Sequence, residues 1–588
     1  MNKLKDSKIY RICFCYIFPI ILILYPLRHI NMGLDLADTG YNYANFRYGF
    51  EHMDSKWFFS TYLSNAAGHF LTCLPGGNTL LFMNLYTGLF TSLMAFVSYR
   101  FLTKRMEIPA IWVFIGELTV ISLCWCPTAL LYNYITYTLL LVGVLLIYEG
   151  LTQEKDVYLI IAGAALGTNI FVRFSNLPEA GLIVAVWAYG LICRKNIKKV
   201  VRETGFCMLG YIGAVIIWLG YISMHYGFAN YVEGIRSLFA MTETATDYKA
   251  SSMLSGMFSD YKESLYWLSR IMVFLIPGMA VCIVMPKCRK WIKRSICVFF
   301  SVAALVWLYR NEFCKFEFYS DGDIYRSGVL FLILTMFVCL MRILSPKVQK
   351  NEKLLAGMII LVSLISAIGS NNRLLTSINN LFLAVPYVLW IMYGFCRKSD
   401  IRWFAAKTMA VMFLALFLVQ SAAFGVRFVF AESGRDISMD AKVENCDVIK
   451  GISMSREKAD RMEEIAQYVI DRQLIGRDVI LYGDIPALSF YLEMPPAFMA
   501  WIDLDSYNVD SLETEIDKLK VGTSEGKELP IVILNHSLIE DMGANSAEDI
   551  KLTLIIDYME ECGYKKTFSN EMFILYDTDE VSMSDYEG

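Results

Sequence analysis

Long apolar runs alternate with short polar links along the first three quarters of the chain. A membrane-spanning helix needs roughly 20 mostly apolar residues, so these runs predict about 13 transmembrane helices. They lie at about residues 12–30, 78–101, 108–127, 129–148, 157–174, 178–193, 204–224, 265–285, 296–310, 327–344, 354–369, 378–396 and 404–426. The first run is too long for a signal peptide and lacks a small-residue cleavage site, so we expect a retained helix.

The pattern changes near Ala431, where shorter apolar runs begin. They predict a helix at 459–473, the buried strands DVILYG and PIVILN, a helix at 547–561 and a hairpin at 564–577. The fold class is therefore mainly α, a polytopic membrane protein with a C-terminal α/β domain. We place a transmembrane domain at 1–431, with its first outer loop at 31–77, and the α/β domain at 432–588. This domain has no GxGxxG, P-loop or serine elbow, so we expect it to cover or shape a site.

Charge divides the chain at the same boundary. Overall, 56% of residues are hydrophobic and 19% are charged. Residues 1–431 hold 39 Lys and Arg against 23 Asp and Glu, a net +16, whereas residues 432–588 hold 14 against 34, a net −20. A difference of this size indicates two solvents, lipid for the first part and water for the second.

The basic residues also predict an orientation. Alternate short loops read KLKDSK, TKR, QEK, CRKNIKK, PKCRKWIKR, SPKVQKNEK and CRKSDIR, and loops rich in Lys and Arg stay on the cytoplasmic side. The N-terminus is then cytoplasmic, and 13 crossings put the C-terminal domain outside the cell. Among the outer loops, 31–77 is aromatic and predicts short helices lying in the membrane interface. Loop 225–264 predicts a mobile segment with another interfacial helix.

Cysteine and histidine usage gives no sign of a metal centre or cofactor. Thirteen of the 15 cysteines precede Ala431, mostly inside apolar runs, and no CxxC pair occurs. A disulfide between Cys446 and Cys562 is an alternative that the sequence does not decide. None of the five histidines has metal-ligand spacing, so we expect no required cofactor, and a divalent metal has no support. The basic loops indicate topology, and we expect no nucleic-acid partner.

Two carboxylates follow the first span, in the sequence GLDLADTGYNY. Asp35 and Asp38 lie close to the membrane surface, where carboxylates are costly and often functional. There Asp38, or alternatively Asp35, could act as the general base that removes a proton from a sugar or lipid hydroxyl. The alternative is a solvated loop, or a turn ahead of Thr39 and Gly40. Asp484 follows a predicted strand and could face the membrane cleft or form a turn.

Several cations and amides near the outer ends of spans are candidates for substrate binding. Arg173 in FVRFSN could bind a phosphate, snorkel to the interface or pair with Glu179. Arg373 in GSNNR follows a Gly-Ser break that could present backbone N–H groups to an anion. Asn371 and Asn372 could bind sugar hydroxyls or serve as turn residues.

Two further candidates have stronger structural alternatives. Arg326 opens the tenth span beside Asp321 and Asp323, so a local salt bridge competes with substrate contact. His69 lies in the first outer loop, where packing or hydrogen bonding competes with a substrate role.

A first outer loop with an Asp just past the first span, followed by interfacial helices, resembles the glycosyltransferase C superfamily. The stretch DTGYNYANFRY is similar to the D-x-G-Y-x-x-x-N motif of bacterial members, which adds Tyr41 to the candidate substrate-binding residues. The segments VRFSNLPEA, GSNNRLLTSINNLFLAVPY, YGD…FYL and GYKK…FILYD also look like theirs. Members are multi-spanning enzymes that use polyprenyl-phosphate-linked sugars. Better-studied members often carry Asp-Glu at the loop acid, whereas Asp38 is followed here by Thr39.

The resemblance implies an inverting glycosyltransferase of the cell envelope. Its partners would be a polyprenyl-phosphate-linked sugar donor, membrane lipids and a glycan, lipid or protein acceptor at the outer face. The main alternative is a transporter or flippase of a lipid-linked glycan, which usually shows repeated halves and mid-membrane charges. No halves repeat here, and Glu117 is the main mid-span charge. A polysaccharide polymerase or ligase and a sensor are less favoured, because the architecture fits neither.

Overall fold

The computed structural model describes residues 11–50, 56–125, 128–244, 249–285, 287–398, 401–432, 434, 437–504, 507–524, 528–537 and 550–578. Helices account for nearly all regular structure before residue 430. The first is the helical segment Cys13–His29, whose middle is α1 (Phe18–Leu24). The others are α2 (Asp38–Tyr48), α3 (Tyr62–Thr72), α4 (Leu80–Lys104), α5 (Ala110–Leu123), α6 (Leu131–Gln153), α7 (Asp156–Val172), α8 (Val184–Cys193), α9 (Ile197–Tyr226), α10 (Phe228–Thr244), α11 (Ala250–Val284), α12 (Lys290–Arg310), α13 (Gly322–Leu344), α14 (Lys350–Ile365), α15 (Leu375–Asn379), α16 (Ala384–Arg397) and α17 (Phe404–Arg427).

Each predicted span coincides with one of these helices, which confirms a multi-pass helical membrane protein. Within the described residues, eight helical segments are long and apolar enough to cross a membrane. Shorter apolar helices, such as α5 and α7, account for some of the remaining predicted spans. The number of crossings, and with it the side on which the C-terminal domain lies, stays a prediction.

Two of the membrane segments are interrupted rather than continuous. The chain becomes extended at Arg173, after α7, and continues as a 3₁₀ segment, Phe174–Ile183, into α8. After α14 it turns through Gly369, at a φ of +80° that glycine adopts readily, and then forms the short α15 before α16. Broken helices in a membrane protein are tolerated where the exposed backbone faces protein or a polar cavity.

The segment predicted to be the first outer loop, residues 31–77, differs from the prediction of helices lying in the membrane interface. It does contain two short helices, α2 and α3, but most α2 side chains are buried, among them Tyr43 and Phe46. The reason is that α2 packs between the membrane helices and the C-terminal part of the chain. Loop 225–264 is also largely helical, because it contains α10 and about the first four turns of α11. Residues 245–248 lie outside the described part.

The C-terminal part is an α/β unit, as predicted. It contains α18 (Arg456–Asp471), β1 (Val479–Tyr482), α19 (Leu488–Tyr491), α20 (Val509–Ser524), β2 (Ile531–Asn535), α21 (Ile550–Glu561), β3 (Lys565–Ser569) and β4 (Phe573–Asp577). The sheet order is β1-β2-β4-β3, with β1 and β2 parallel and the other neighbours antiparallel. Cys446 and Cys562 are both free thiols, so the disulfide left open above does not form.

Strands β1 and β2 are buried on both faces, as their continuous apolar sequences predict. Ile480 and Val532 point to the face covered by α20 and α21. Val479 and Ile531 point to the other face, which α18 covers together with residues of the loop after the first helical segment. Tyr43 of α2 is part of that second core. The first loop and the C-terminal domain therefore share one hydrophobic core, which fixes the loop in place.

Candidate active site

The first turn of α2 is held by the carboxylate of Asp35. Its two oxygens accept hydrogen bonds from the backbone N–H groups of Ala37 (3.1 Å) and Thr39 (2.6 Å). The first N–H groups of a helix have no partner within the helix, so a preceding Asp stabilises its start. Both oxygens of Asp35 are thus engaged in positioning, and the next carboxyl, that of Asp38, is left at the beginning of the helix.

The Asp38 carboxyl has a different environment. It makes no hydrogen bond or ion pair with any described residue, although most of the group is shielded from solvent. Burial, followed by the negative charges of Asp35 and Asp484, raises the pKa of Asp38 to about 7. A carboxylate with that pKa is ionised in part of the molecules at neutral pH and binds a proton readily, which is what a general base requires.

The C-terminal domain reaches this turn through the segment after β1. Tyr491 donates a hydrogen bond from its hydroxyl to the carbonyl of Asp35 (2.7 Å), and the N–H of Ala487 donates to the carbonyl of Leu36 (2.9 Å). Gly40 lies so close to Ala487 that a Cβ added there would be 1.8 Å from its backbone nitrogen. Only glycine fits at that position, and the close approach brings Asp484 near Asp38.

Asp484 lies in a turn stabilised by hydrogen bonds, with a φ of +57°. Its backbone N–H donates to the carboxylate of Asp503 (2.6 Å), and its own carboxylate accepts from the indole N–H of Trp501 (3.1 Å). Burial raises the pKa of Asp503 as well. The Trp501 ring lies 6.3 Å from the ring of Tyr41, centroid to centroid. Carboxylates from both parts of the chain, Asp35 and Asp484, therefore lie near enough to Asp38 to raise its pKa.

A cavity of about 130 Å³ lies below this turn, where the first helical segment ends beside the end of α17. Asp35 and Thr39 line one part of it, and Arg28, His29 and Asn84 line another. Arg28 donates hydrogen bonds to the carbonyls of Tyr25 (3.0 Å) and Gly425. It forms no ion pair with a carboxylate of the described residues. Sequence reasoning missed Arg28, although an arginine inside a predicted span is itself a signal of function.

Arg173 occupies the break between α7 and the 3₁₀ segment. Its guanidinium lies over the ring of Tyr132, 5.1 Å from the centroid, and it forms no ion pair in the described part of the chain. The pairing with Glu179 considered above is wrong, because Glu179 is buried and accepts a hydrogen bond from Asn169 (2.6 Å) instead. Asn176 completes this buried network by donating to the backbone carbonyl of Asn169 (3.0 Å).

The Arg173 pocket also receives residues from the interrupted segment after α14. Ser366, Ser370 and Thr376 line it together with Arg173 and Asn133. Its volume is about 20 Å³, enough for about one water molecule. The VRFSN and GSNNR segments are separated by almost 200 residues in sequence, and the fold brings them to one polar pocket.

Of the predicted substrate-binding residues in the segment after α14, Arg373 and Asn372 have structural partners. Arg373, at a φ of +50°, pairs with Asp260 of α11 (3.3 Å), which also accepts from the hydroxyl of Tyr325 (2.6 Å). Asn372 is an exposed turn residue whose N–H donates to the hydroxyl of Ser370 (3.2 Å). Asn371 precedes it in the same turn and is half-buried.

Arg326 and His69 are also engaged. Arg326 pairs with Glu263 of α11 (3.2 Å), not with Asp321 or Asp323 as the sequence suggested. The reason is that α11 begins at Ala250, well before its apolar run, and this first part passes beside the start of α13. His69 contacts the carbonyl of Phe46 through Nδ1 (2.9 Å), which ties α3 to α2. Within the described residues, no group of three or more His, Cys, Asp or Glu side chains could hold a metal ion.

Two solved structures are similar to the chain over nearly its whole length. The crystal structure of ArnT from Cupriavidus metallidurans bound to undecaprenyl phosphate has a TM-score of 0.41 at 12% identity, over 97% of this chain and 98% of that one. The crystal structure of the Archaeoglobus fulgidus oligosaccharyltransferase in complex with zinc and sulfate has a TM-score of 0.43 at 11% identity, over 95% of this chain and 73% of that one. No protein-family model and no curated protein matches the chain. Because both TM-scores are below 0.5, the functional proposal rests on the surroundings of Asp38.

Proposed function

We propose that the chain is a membrane glycosyltransferase that moves a sugar from a polyprenyl-phosphate-linked donor to an acceptor hydroxyl at the outer face of the membrane. The observation that carries the proposal is the Asp38 carboxyl. It is shielded, has no partner among the described residues and has a pKa of about 7. It also lies just beyond the first membrane helix, where the head group of a lipid-linked donor would be.

In the proposed reaction, Asp38 accepts the proton of the acceptor hydroxyl while the hydroxyl oxygen attacks the anomeric carbon of the donor sugar. The bond between that carbon and the phosphate oxygen breaks, and the polyprenyl phosphate leaves with the electron pair. A single displacement of this kind inverts the configuration at the anomeric carbon. Asp35 positions the turn through its two backbone hydrogen bonds.

The departing phosphate needs a cation, and the described residues offer Arg173 and Arg28. Neither is neutralised by a described carboxylate, whereas Arg373 is paired with Asp260. We therefore assign leaving-group binding to Arg173 in preference to Arg373. The pocket beside Arg173 has room for about one water molecule, so it has to widen to admit a phosphate. A charge-assisted hydrogen bond to a phosphate is worth about 1.5–3 kcal/mol, so loss of Arg173 is expected to lower kcat/KM roughly tenfold to a hundredfold.

Release of free polyprenyl phosphate is the readout that does not require the acceptor to be known. Purified protein in liposomes is incubated with a panel of polyprenyl-phosphate hexoses and amino sugars, together with cell-envelope extract as acceptor. Asp38→Asn is expected to lower kcat by at least about a hundredfold. Asp440→Asn, an exposed aspartate of the C-terminal domain, and Arg100→Gln, an exposed arginine of α4, are the matched controls for Asp38 and Arg173.

Full activity in both Asp38→Asn and Asp35→Asn would overturn the assignment of a catalytic carboxylate. Outer-leaflet transfer of the intact lipid-linked sugar, with no polyprenyl phosphate released by any donor of the panel, would instead support a flippase.

The outer-face assignment has a separate test that uses native cysteines. Cys73 is exposed in the first outer loop, and Cys288 is half-buried in the basic loop before α12. A membrane-impermeant maleimide is expected to label Cys73 in intact cells and Cys288 only after permeabilisation, with Cys73→Ser as control. The reverse order of labelling would place Asp38 on the cytoplasmic side.

A further inference from the structure

A second, strongly basic cavity lies at the end of α17 opposite the Asp38 site. The C-terminal residues of α17 line the cavity beside Asp35, and its first residues line a cavity of about 760 Å³. A helix of 24 residues is about 36 Å long, which separates the two cavities by most of the thickness of a membrane. The ends of α12 and α16 complete the walls of this basic cavity.

The basic cavity collects six cations, and none of its described lining residues is acidic. The six are Lys290, Arg294, Arg397, Lys398, Arg402 and Lys407. Asp400, which is near them in sequence, lies outside the described residues. Even if its full charge is counted, the six cations and Asp400 together carry a net charge of +5.

Four of these cations lack a counterion within the described part of the chain, namely Lys290, Arg294, Arg397 and Lys398. Some basic residues in the other loops of the same predicted side are paired, as in Lys195–Glu203 (2.7 Å), Lys199–Glu154 (2.6 Å) and Arg202–Asp156 (3.6 Å). Retention of positive loops on one side of the membrane explains why cations are present. It does not explain why four unpaired ones converge on one cavity, where they repel each other unless an anion binds.

The cavity is also open towards the lipid. Val411 lines it and is 52% exposed, and the exposed Val419 and Val426 continue the same helix towards the other end. Exposed valines on a membrane helix contact hydrocarbon. Trp291 and Trp403 are at least half exposed beside the basic residues, as is typical of side chains at the level of lipid head groups. A ligand that suits this cavity has an anionic head and an apolar tail.

We propose that the basic cavity binds the phosphate-bearing headgroup of an anionic membrane phospholipid. Lys290, Arg294, Arg397 and Lys398 surround its phosphates, and an acyl chain lies along Val411. Basic pockets between transmembrane helices are a known recognition mode for such lipids. The proposal is independent of the glycosyltransferase function, because none of these residues belongs to the Asp38 site.

Native mass spectrometry of the delipidated full-length protein tests the proposal. The protein is titrated with cardiolipin, phosphatidylglycerol or phosphatidylcholine in detergent, and the affinity of the first bound lipid is measured. The wild type is expected to bind both anionic lipids more tightly than phosphatidylcholine. One cation near a headgroup contributes about fivefold in affinity, so Arg294→Gln/Lys398→Gln is expected to weaken anionic binding on the order of twentyfold.

Lys199→Gln/Arg202→Gln removes the same charge from the same predicted side outside the cavity, and it is expected to leave the affinity unchanged. If the first double variant does not fold, the exposed Lys398→Gln alone is expected to weaken binding about fivefold. No preference of the wild type for anionic lipids, or equal weakening by the two double variants, would overturn the proposal. Displacement of bound cardiolipin by millimolar inorganic phosphate or ATP would also overturn it, because the site would then bind a soluble anion.

Discussion

Replacement of Asp38 by Asn is expected to stabilise the folded protein at neutral and alkaline pH while it lowers kcat by at least about a hundredfold. Aspartate outside the fold ionises with a pKa of 3.8, whereas folded Asp38 keeps its proton up to about pH 7. Between these values the folded state binds more protons than the unfolded state, so the free energy of unfolding falls as pH rises and levels off above about pH 7. At about 1.4 kcal/mol per pH unit, the wild type loses about 4 kcal/mol across this window. Asn does not ionise, so the variant keeps this part of the free energy of unfolding.

The measurement is thermal unfolding of the purified protein in nanodiscs, followed by tryptophan fluorescence between pH 4 and pH 8.5. The two proteins are expected to unfold at similar temperatures near pH 4, and Asp38→Asn is expected to unfold at a higher temperature from pH 7 upwards. Asp440→Asn should follow the wild type at every pH, because that side chain is exposed. Parallel curves for the wild type and Asp38→Asn would refute the assignment of a raised pKa to Asp38.

Two further substitutions test how the C-terminal domain docks on α2. Gly40→Ala forces a Cβ onto the backbone of Ala487, so it is expected to lower the free energy of unfolding, measured by thermal unfolding, by about 1–3 kcal/mol. The control Gly205→Ala, with no atom within 4 Å of the added Cβ, is expected to leave that free energy unchanged. Asp484→Asn removes one of the charges that raise the pKa of Asp38 and keeps an oxygen for the bond to Trp501. The midpoint of the pH–activity profile should therefore move below pH 7, and an unmoved midpoint would mean that the two carboxyls do not interact.

The local features of the fold could be predicted from the sequence. The apolar runs located the membrane helices, because a bilayer imposes a minimum length of apolar residues on any crossing helix. The short runs DVILYG and PIVILN located β1 and β2, since strands buried on both faces are continuously apolar. Both signals depend on residues that are neighbours in sequence.

Partners that are distant in sequence could not be predicted in this way. Arg326 pairs with Glu263, 63 residues away, because α11 begins well before its apolar run. The same limit applies to α2, whose aromatic residues looked interfacial and are instead buried against a domain more than 400 residues further along the chain. An amphipathic pattern shows that a face is covered, but the sequence does not show whether lipid or protein covers it.

Docking of the acidic C-terminal domain on α2 affects the pKa of Asp38. Burial is the largest cause of the raised pKa of Asp38, and the segment that contains Ala487 and Tyr491 packs directly against the turn where Asp38 lies. The same domain adds the negative charge of Asp484, which raises the pKa further. Because both effects require the domain to be docked, displacement of the domain from α2 would lower the pKa of Asp38 towards that of an ordinary aspartate. The proton affinity of the proposed base is thus set by residues more than 400 positions away in the chain.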